Sequence, residues 1–337
     1  MTKELLSSNN NDILRNLKGL DKEKLLQLIK NFHLRYHDTL FLPPELTFGI
    51  EIEYEDLKWE KVEEFINRNN PNWNLKKDAS IPLGGEITSP ILTDKKEYWQ
   101  ELKNICDFLK KEKANTNKNT GGHVHIGAQM LGNDYNNWRR FIKLYTIYEQ
   151  ILFRFGYGDK LHYRTKILVY SDILQSELIS KMWKFNHAKS LREIEEFFPH
   201  QTKHIALSFR HVSFADMSKR DMNTIEFRFP NCTVEEAIWQ NNINVFAKMI
   251  LAAKNPNLDE EYLDALLKEL EYLFYTFNNF DEIFARYQRI DLPKALEFAD
   301  LIFNNNLDKI NFLRQYLKSY EEILPPREEM TLARYHS

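Results

Sequence analysis

Five stretches of the sequence alternate apolar residues with acids, histidines or arginines. FGIEIEYE carries Glu51 and Glu53, GGEIT carries Glu86, GGHVHIGA carries His123 and His125, and TIEFRF carries Glu226 and Arg228. The fifth, within HIALSFRHVSF, carries Ser208 and Arg210. Side chains of a strand alternate between its two faces, so residues i and i+2 share one. Ile50, Ile52 and Tyr54 then lie opposite the two acids of the first stretch, and Val124 and Ile126 opposite the two histidines. Leu207 and Phe209 oppose Ser208 and Arg210, and Ile225, Phe227 and Phe229 oppose Glu226 and Arg228. If these strands share a sheet, its apolar side packs on helices while Glu, His and Arg gather on the other. Hard divalent cations prefer carboxylate oxygens, and phosphates prefer arginine forks and metal bridges. The set suits metal-bound nucleotide chemistry.

A wet sheet face crossed by Glu–Arg pairs gives the same alternation in any single strand. The five strands taken together favour the chemical reading. Gly84-Gly85 and Gly121-Gly122 precede Glu86 and His123. Such glycines either let a backbone approach a ligand or simply turn the chain into a strand.

The elements that must position these residues can be read from periodicity. Residues 1–42 look helical, with Asp21 as a cap and Leu25, Ile29, Phe32 and Tyr36 on one face. Pro43-Pro44 stops that helix. A short helix is predicted over 58–69, followed by an Asn-rich loop, NRNNPNWN. Asp94 with Glu97 resembles a capping box ahead of the stripe Tyr98, Leu102, Ile105 and Leu109, and Thr233 with Glu236 resembles another. An apolar helix spans 134–155, and residues after 236 read as helices punctuated by Pro256 and Pro293. Strands and helices mix without a βαβ rhythm, which predicts an α+β fold with a curved, largely antiparallel sheet. The chain divides into a helical segment 1–42, a catalytic domain 43–254, and a helical region 255–337 packed on the same domain.

The 337 residues carry 46 Lys plus Arg against 49 Asp plus Glu, so the charge gives no nucleic-acid footprint. Two cysteines, Cys106 and Cys232, cannot build a disulfide framework or a thiolate zinc site, and read as structural. No apolar run approaches the roughly 20 residues of a membrane span, and MTKELLSSNNNDILRN lacks the continuous apolar run expected of a signal peptide. The expectation is a cytoplasmic protein that binds neither nucleic acid nor membrane.

FGIEIE, DASIPLGGEITSP, GGHVHIG and TIEFRFPNCT, in this order, resemble the amidoligase family, which is related to glutamine synthetase and glutamate–cysteine ligase. The blocks span about residues 47–234. The resemblance implies a glutamine-synthetase-like catalytic fold with helical additions at both ends. It implies ATP, with two or three Mg²⁺ or Mn²⁺ ions, and a carboxylate, small or peptide, joined to an amine. By the same resemblance Glu51, Glu53, Asp78, Glu86, His123 and Glu226 match metal ligands. His123, His125 and Arg228 match the nucleotide-binding set, and Arg228, Arg210 and Glu226 the catalytic set. Asn223 stands where the family often has Gly, and the Ala206–Phe209 stretch lacks its usual Asn. Arg164, among His162, Tyr163 and Lys166, is either a substrate contact or part of an exposed basic loop.

Two other functions fit the residues. A metal-dependent hydrolase would use His123 and His125 with acidic ligands. A non-catalytic relative would bind nucleotide and dock a partner through its helical ends.

Overall fold

The computed structural model describes residues 29, 34, 36–78, 81, 83–116, 120–157, 171, 173–198, 204–219, 223–276 and 290–317. Most of the predicted N-terminal helix, including Asp21, Leu25 and Phe32, lies outside them, as do His162, Tyr163, Arg164 and Lys166.

The strands are β1 (Phe48–Glu55), β2 (Asn74–Lys76), β3 (Gly84–Thr88), β4 (Gly122–Gly127), β5 (Leu207–His211) and β6 (Thr224–Phe227). They form one sheet in the order β2-β3-β1-β4-β6-β5, and each neighbouring pair is antiparallel. The α+β class and antiparallel sheet are therefore as the alternation predicts. The register sets Glu53 opposite Glu86, Glu51 opposite His123, and His125 opposite Glu226. Cross-strand partners share a face, so the ionisable residues of β3, β1, β4 and β6 project from one side.

The other side is apolar and covered. Helix α1 is Trp59–Asn69, α2 is Lys96–Lys111 and α3 is Tyr135–Gly156. Three short helices follow: α4 (Leu174–Ile179), α5 (Met182–Asn186) and α6 (Leu191–Glu195). They are followed by α7 (Glu236–Ala253), α8 (Glu260–Thr276), α9 (Leu292–Ile302) and α10 (Asn306–Leu317). Phe227 of β6 stacks on Phe246 of α7 at 4.1 Å and meets Phe141 of α3 edge-on. Phe48 of β1 stacks on Trp99 of α2 at 4.9 Å. The described part of 255–337 adds to this layer through Phe155–Phe312 and Tyr148–Phe298 contacts. Gln315 of α10 fixes its seat by donating to the Phe155 carbonyl and to Asn242 of α7. Buried amides of this kind specify one docking geometry because each must find a partner.

Both predicted capping boxes are corrected. The cap of α2 is Lys95, without a side-chain bond. Asp94 instead accepts from the Leu40 and Leu42 amides, the Thr39 hydroxyl and the Trp99 indole. Four donors outweigh the one or two an N-cap supplies, and the clamp leaves Phe41 in the left-handed region at φ 55°. Thr233 accepts from the Glu235 amide in a local turn, and Glu235 is the cap of α7. The Asn-rich loop ends in β2, a strand of three residues that is too short to show periodicity.

The glycine pairs serve packing. A Cβ on Gly84 would fall 1.7 Å from the Tyr54 carbonyl oxygen, and one on Gly122 would lie 2.8 Å from the Asn231 oxygen. Close backbone approach therefore explains both residues without a ligand. Trp73, Trp99, Trp138 and Trp239 are buried, whereas Trp183 is exposed, with its ring 4.4 Å from that of His187.

Candidate active site

The polar face gathers its ligands from four strands and one loop. Glu51 stands between two histidines, with His123 Nδ1 2.8 Å from one carboxylate oxygen and His125 Nε2 3.1 Å from the other. His125 Nδ1 lies 3.1 Å from the Thr224 hydroxyl, which orients the ring. His123 also approaches Glu53 at 3.7 Å and Glu226 at 3.8 Å. The Gly121 amide donates to Glu53 and holds it in place. Arg228 pairs with Glu226.

Within this cluster two sets of ligand atoms converge, each within 4.8 Å: Glu51, His125 and Glu226, and separately Glu53, Asp78 and Glu86. The second set is all carboxylate, the donor chemistry of a hard divalent cation. The first mixes two carboxylates with an imidazole, which Mg²⁺ and Mn²⁺ accept and which transition metals also favour. Glu53, His123 and Glu226 are buried. Among the described residues Lys76 reaches Glu86 at 3.7 Å, and Arg228 reaches Glu226. Such a cluster is costly to bury without cations, so the residues fit the group that the sequence pattern implies.

The electrostatics follow from this crowding. Burial pushes the Glu86 carboxyl up, and the charge of Glu51 adds to it, to about 7. Burial also pushes Glu51 up, but its hydrogen bonds from His123 and His125 outweigh that and hold it below the ordinary carboxylate range. Burial lowers the His123 imidazole, but the Glu51 hydrogen bond and the charge of Glu53 more than reverse this.

Arg228 has a further feature. Its Nε is buried and has no hydrogen-bond partner among the described residues. A guanidinium with one terminal nitrogen on Glu226 and a buried donor still unfilled is suited to a phosphoryl oxygen.

Not every predicted residue joins the cluster. Ser208 pairs with Glu226, but a bulge then shifts β5 by one residue, and His211 rather than Arg210 stands beside Thr224. Arg210 is exposed. The expectation that Arg210 shares the polar face of Ser208 is corrected, because a bulge breaks the two-residue alternation on which it rests. His211 takes the place, with its ring 6.2 Å from that of His125. Lys76 comes to this face on β2, a strand of three residues that periodicity does not predict.

A family model described as "Putative amidoligase enzyme" matches residues 66–250, more than half of the chain. The chain belongs to this amidoligase family. The matched span of the amidoligase includes Asp78, Glu86, His123, His125, Glu226 and Arg228 but begins after β1. Glu51 and Glu53 are joined to the matched span by sheet register and by their hydrogen bonds with His123, His125 and Gly121. The chain matches none of the curated proteins with which it was compared. Among the described residues, no helix is long and apolar enough to cross a membrane.

Proposed function

We propose that this amidoligase is an ATP- and Mg²⁺-dependent ligase that joins a carboxylate to an amine through an acyl phosphate, on a glutamine-synthetase-like catalytic fold. The observation that carries the reading is the pair of ligand sets on one sheet face, with Arg228 and its unfilled donor beside them. Amide formation in water is uphill and must be coupled. The substrate carboxylate oxygen attacks the γ-phosphorus and ADP leaves. The amine nitrogen then attacks the acyl carbon, phosphate leaves, and the amine gives up a proton. Bound Mg²⁺ supplies charge neutralisation between the phosphate oxygens as they move. Glu51, His125 and Glu226 would hold one ion, and Glu53, Asp78 and Glu86 another. Arg228 grips the transferred phosphoryl group by its fork, and Glu226 fixes the guanidinium. His125, oriented by Thr224, and His123, oriented by Glu51, keep the acids in register.

The test is a phosphate-release screen with Mg·ATP over paired pools of carboxylates and amines. Hydroxylamine in place of the amine should trap a hydroxamate. Nucleotide-free hydrolysis restored by zinc after chelation would instead support the hydrolase, whose foothold is the imidazole in the first ligand set.

Mg·ATP is expected to raise the melting temperature more than ATP with chelator does, because the acids repel one another until cations bind. At about 100-fold excess over Kd the stabilisation is about 2.7 kcal/mol. Scanning calorimetry with and without Mg²⁺ checks it, and equal midpoints at millimolar ligand would count against a nucleotide site.

Cys106→Ser with Cys232→Ser should leave turnover largely intact, since an acyl phosphate route needs no thiol. Both cysteines are buried, and burial pushes the Cys106 thiol well up. Complete loss of turnover in a normally folded double variant would point to a thioester instead.

A further inference from the structure

A cavity of about 350 Å³ opens beside the first ligand set, with Glu51 and His125 in its lining. It lies where β1 and β6 begin, beside Gly49 and Thr224. The two strands run in the same direction, since each is antiparallel to β4. Glu53 and Arg228 therefore lie toward the opposite end of the face. The volume is at the small end for ligand pockets, the size of a metabolite rather than a macromolecule.

Gly49 is the informative residue. It sits two positions before Glu51 on the same face, opposite His125. A Cβ there would lie 3.5 Å from His125 Cβ and 3.7 Å from Ser89 Oγ, which are ordinary contacts. Gly49 is not among the residues with positive φ. Neither backbone nor packing requires glycine, in contrast to Gly84. What the missing side chain does is keep the floor of the cavity open, as strand glycines do where a ligand lies against backbone.

The walls state the ligand's chemistry. Ile91 is half exposed at the cavity, beside Pro90. Among the described residues Lys76 is the one Lys or Arg in the lining, and it already faces Glu86. Among the described residues the lining offers a triphosphate no arginine fork, and a second carboxylate on the ligand's body would meet the wall of Pro90 and Ile91.

Resting on the ligase reading, we propose that this cavity seats the acid to be activated, a small monocarboxylic acid with an uncharged body. The carboxylate faces the Glu51–His125 group, and the body lies over Gly49 against Pro90 and Ile91. Gly49 and Ile91 set the specificity.

Saturation-transfer NMR on the full chain with Mg²⁺ tests this by binding alone. Hexanoate and adipate, of equal length, are the probes. Hexanoate should receive saturation and adipate about tenfold less, the scale of leaving a charge against an apolar wall. Gly49→Val, which fills the floor, and Ile91→Glu, which charges an exposed position, should each abolish the hexanoate signal. Both should keep the wild-type melting temperature and affinity for Mg·ATP. AMP should not displace hexanoate. The proposal is overturned if wild type gives no hexanoate signal, if adipate binds as well, if both folded variants retain the signal, or if AMP competes. Failure of the ligase reading looks different: hexanoate binds and responds to both variants, yet no acid elicits phosphate release from ATP.

Discussion

Glu226→Gln and Arg228→Lys are each expected to lower ATP turnover by about 10²-fold or more, the scale for removing one electrostatic stabiliser. Both should fold with near-normal melting temperature. Glu226→Gln keeps shape and one oxygen but removes the charge that a divalent cation needs. Arg228→Lys keeps the charge and loses the planar fork, including the buried Nε that lacks a partner. Hydroxylamine should trap a hydroxamate with wild type and none with Glu226→Gln. If both variants turn over ATP at the wild-type rate, the chemistry lies elsewhere on the molecule.

Phe227→Ala should give the opposite result, a large loss of stability. The residue is next to Glu226 in sequence but faces the other side of the sheet. Its ring is fully buried, stacked on Phe246 and edge-on to Phe141 and Phe229. Truncating such a ring costs about 3–5 kcal/mol, from lost transfer energy and an unfilled cavity. In a chain of this size each kcal/mol lowers the midpoint by roughly 1–2 °C. Denaturant melts measure the loss. A change under about 1 kcal/mol would mean that this layer of aromatic rings does not hold the sheet. Turnover per folded molecule should stay near wild type.

The contrast between these neighbours marks what the sequence discloses. Glu51, Glu53, His123, His125 and Glu226 were legible because a regular strand imposes a strict period of two, and their apolar alternates confirmed the phase. Arg210 was misplaced because a bulge is a local backbone event with no composition signature, and its effect is to move one residue across the sheet. Lys76 was invisible for a related reason: a three-residue strand has no period to read. The helices behind the sheet were legible from their apolar stripes. Asp94 was not, because an acid before a helix looks the same whether it caps that helix or clamps a distant loop. Long-range partners decide such cases, and they are set only when the fold closes.

β1 supplies Glu51 to one ligand set and Glu53 to the other. Two positions along an extended strand advance the chain by roughly 7 Å. β1 is bonded on both sides, to β3 and β4, so its backbone cannot easily stretch or slip. The spacing between the two sets is thus a ruler cut into the polypeptide rather than an adjustment made by flexible side chains. A one-residue slip would turn both acids into the aromatic layer at once, and no intermediate setting exists. Divergence in what the site accepts must therefore run through positions outside that interval, such as Gly49, Ile91 and His211, while the interval between the acids stays fixed.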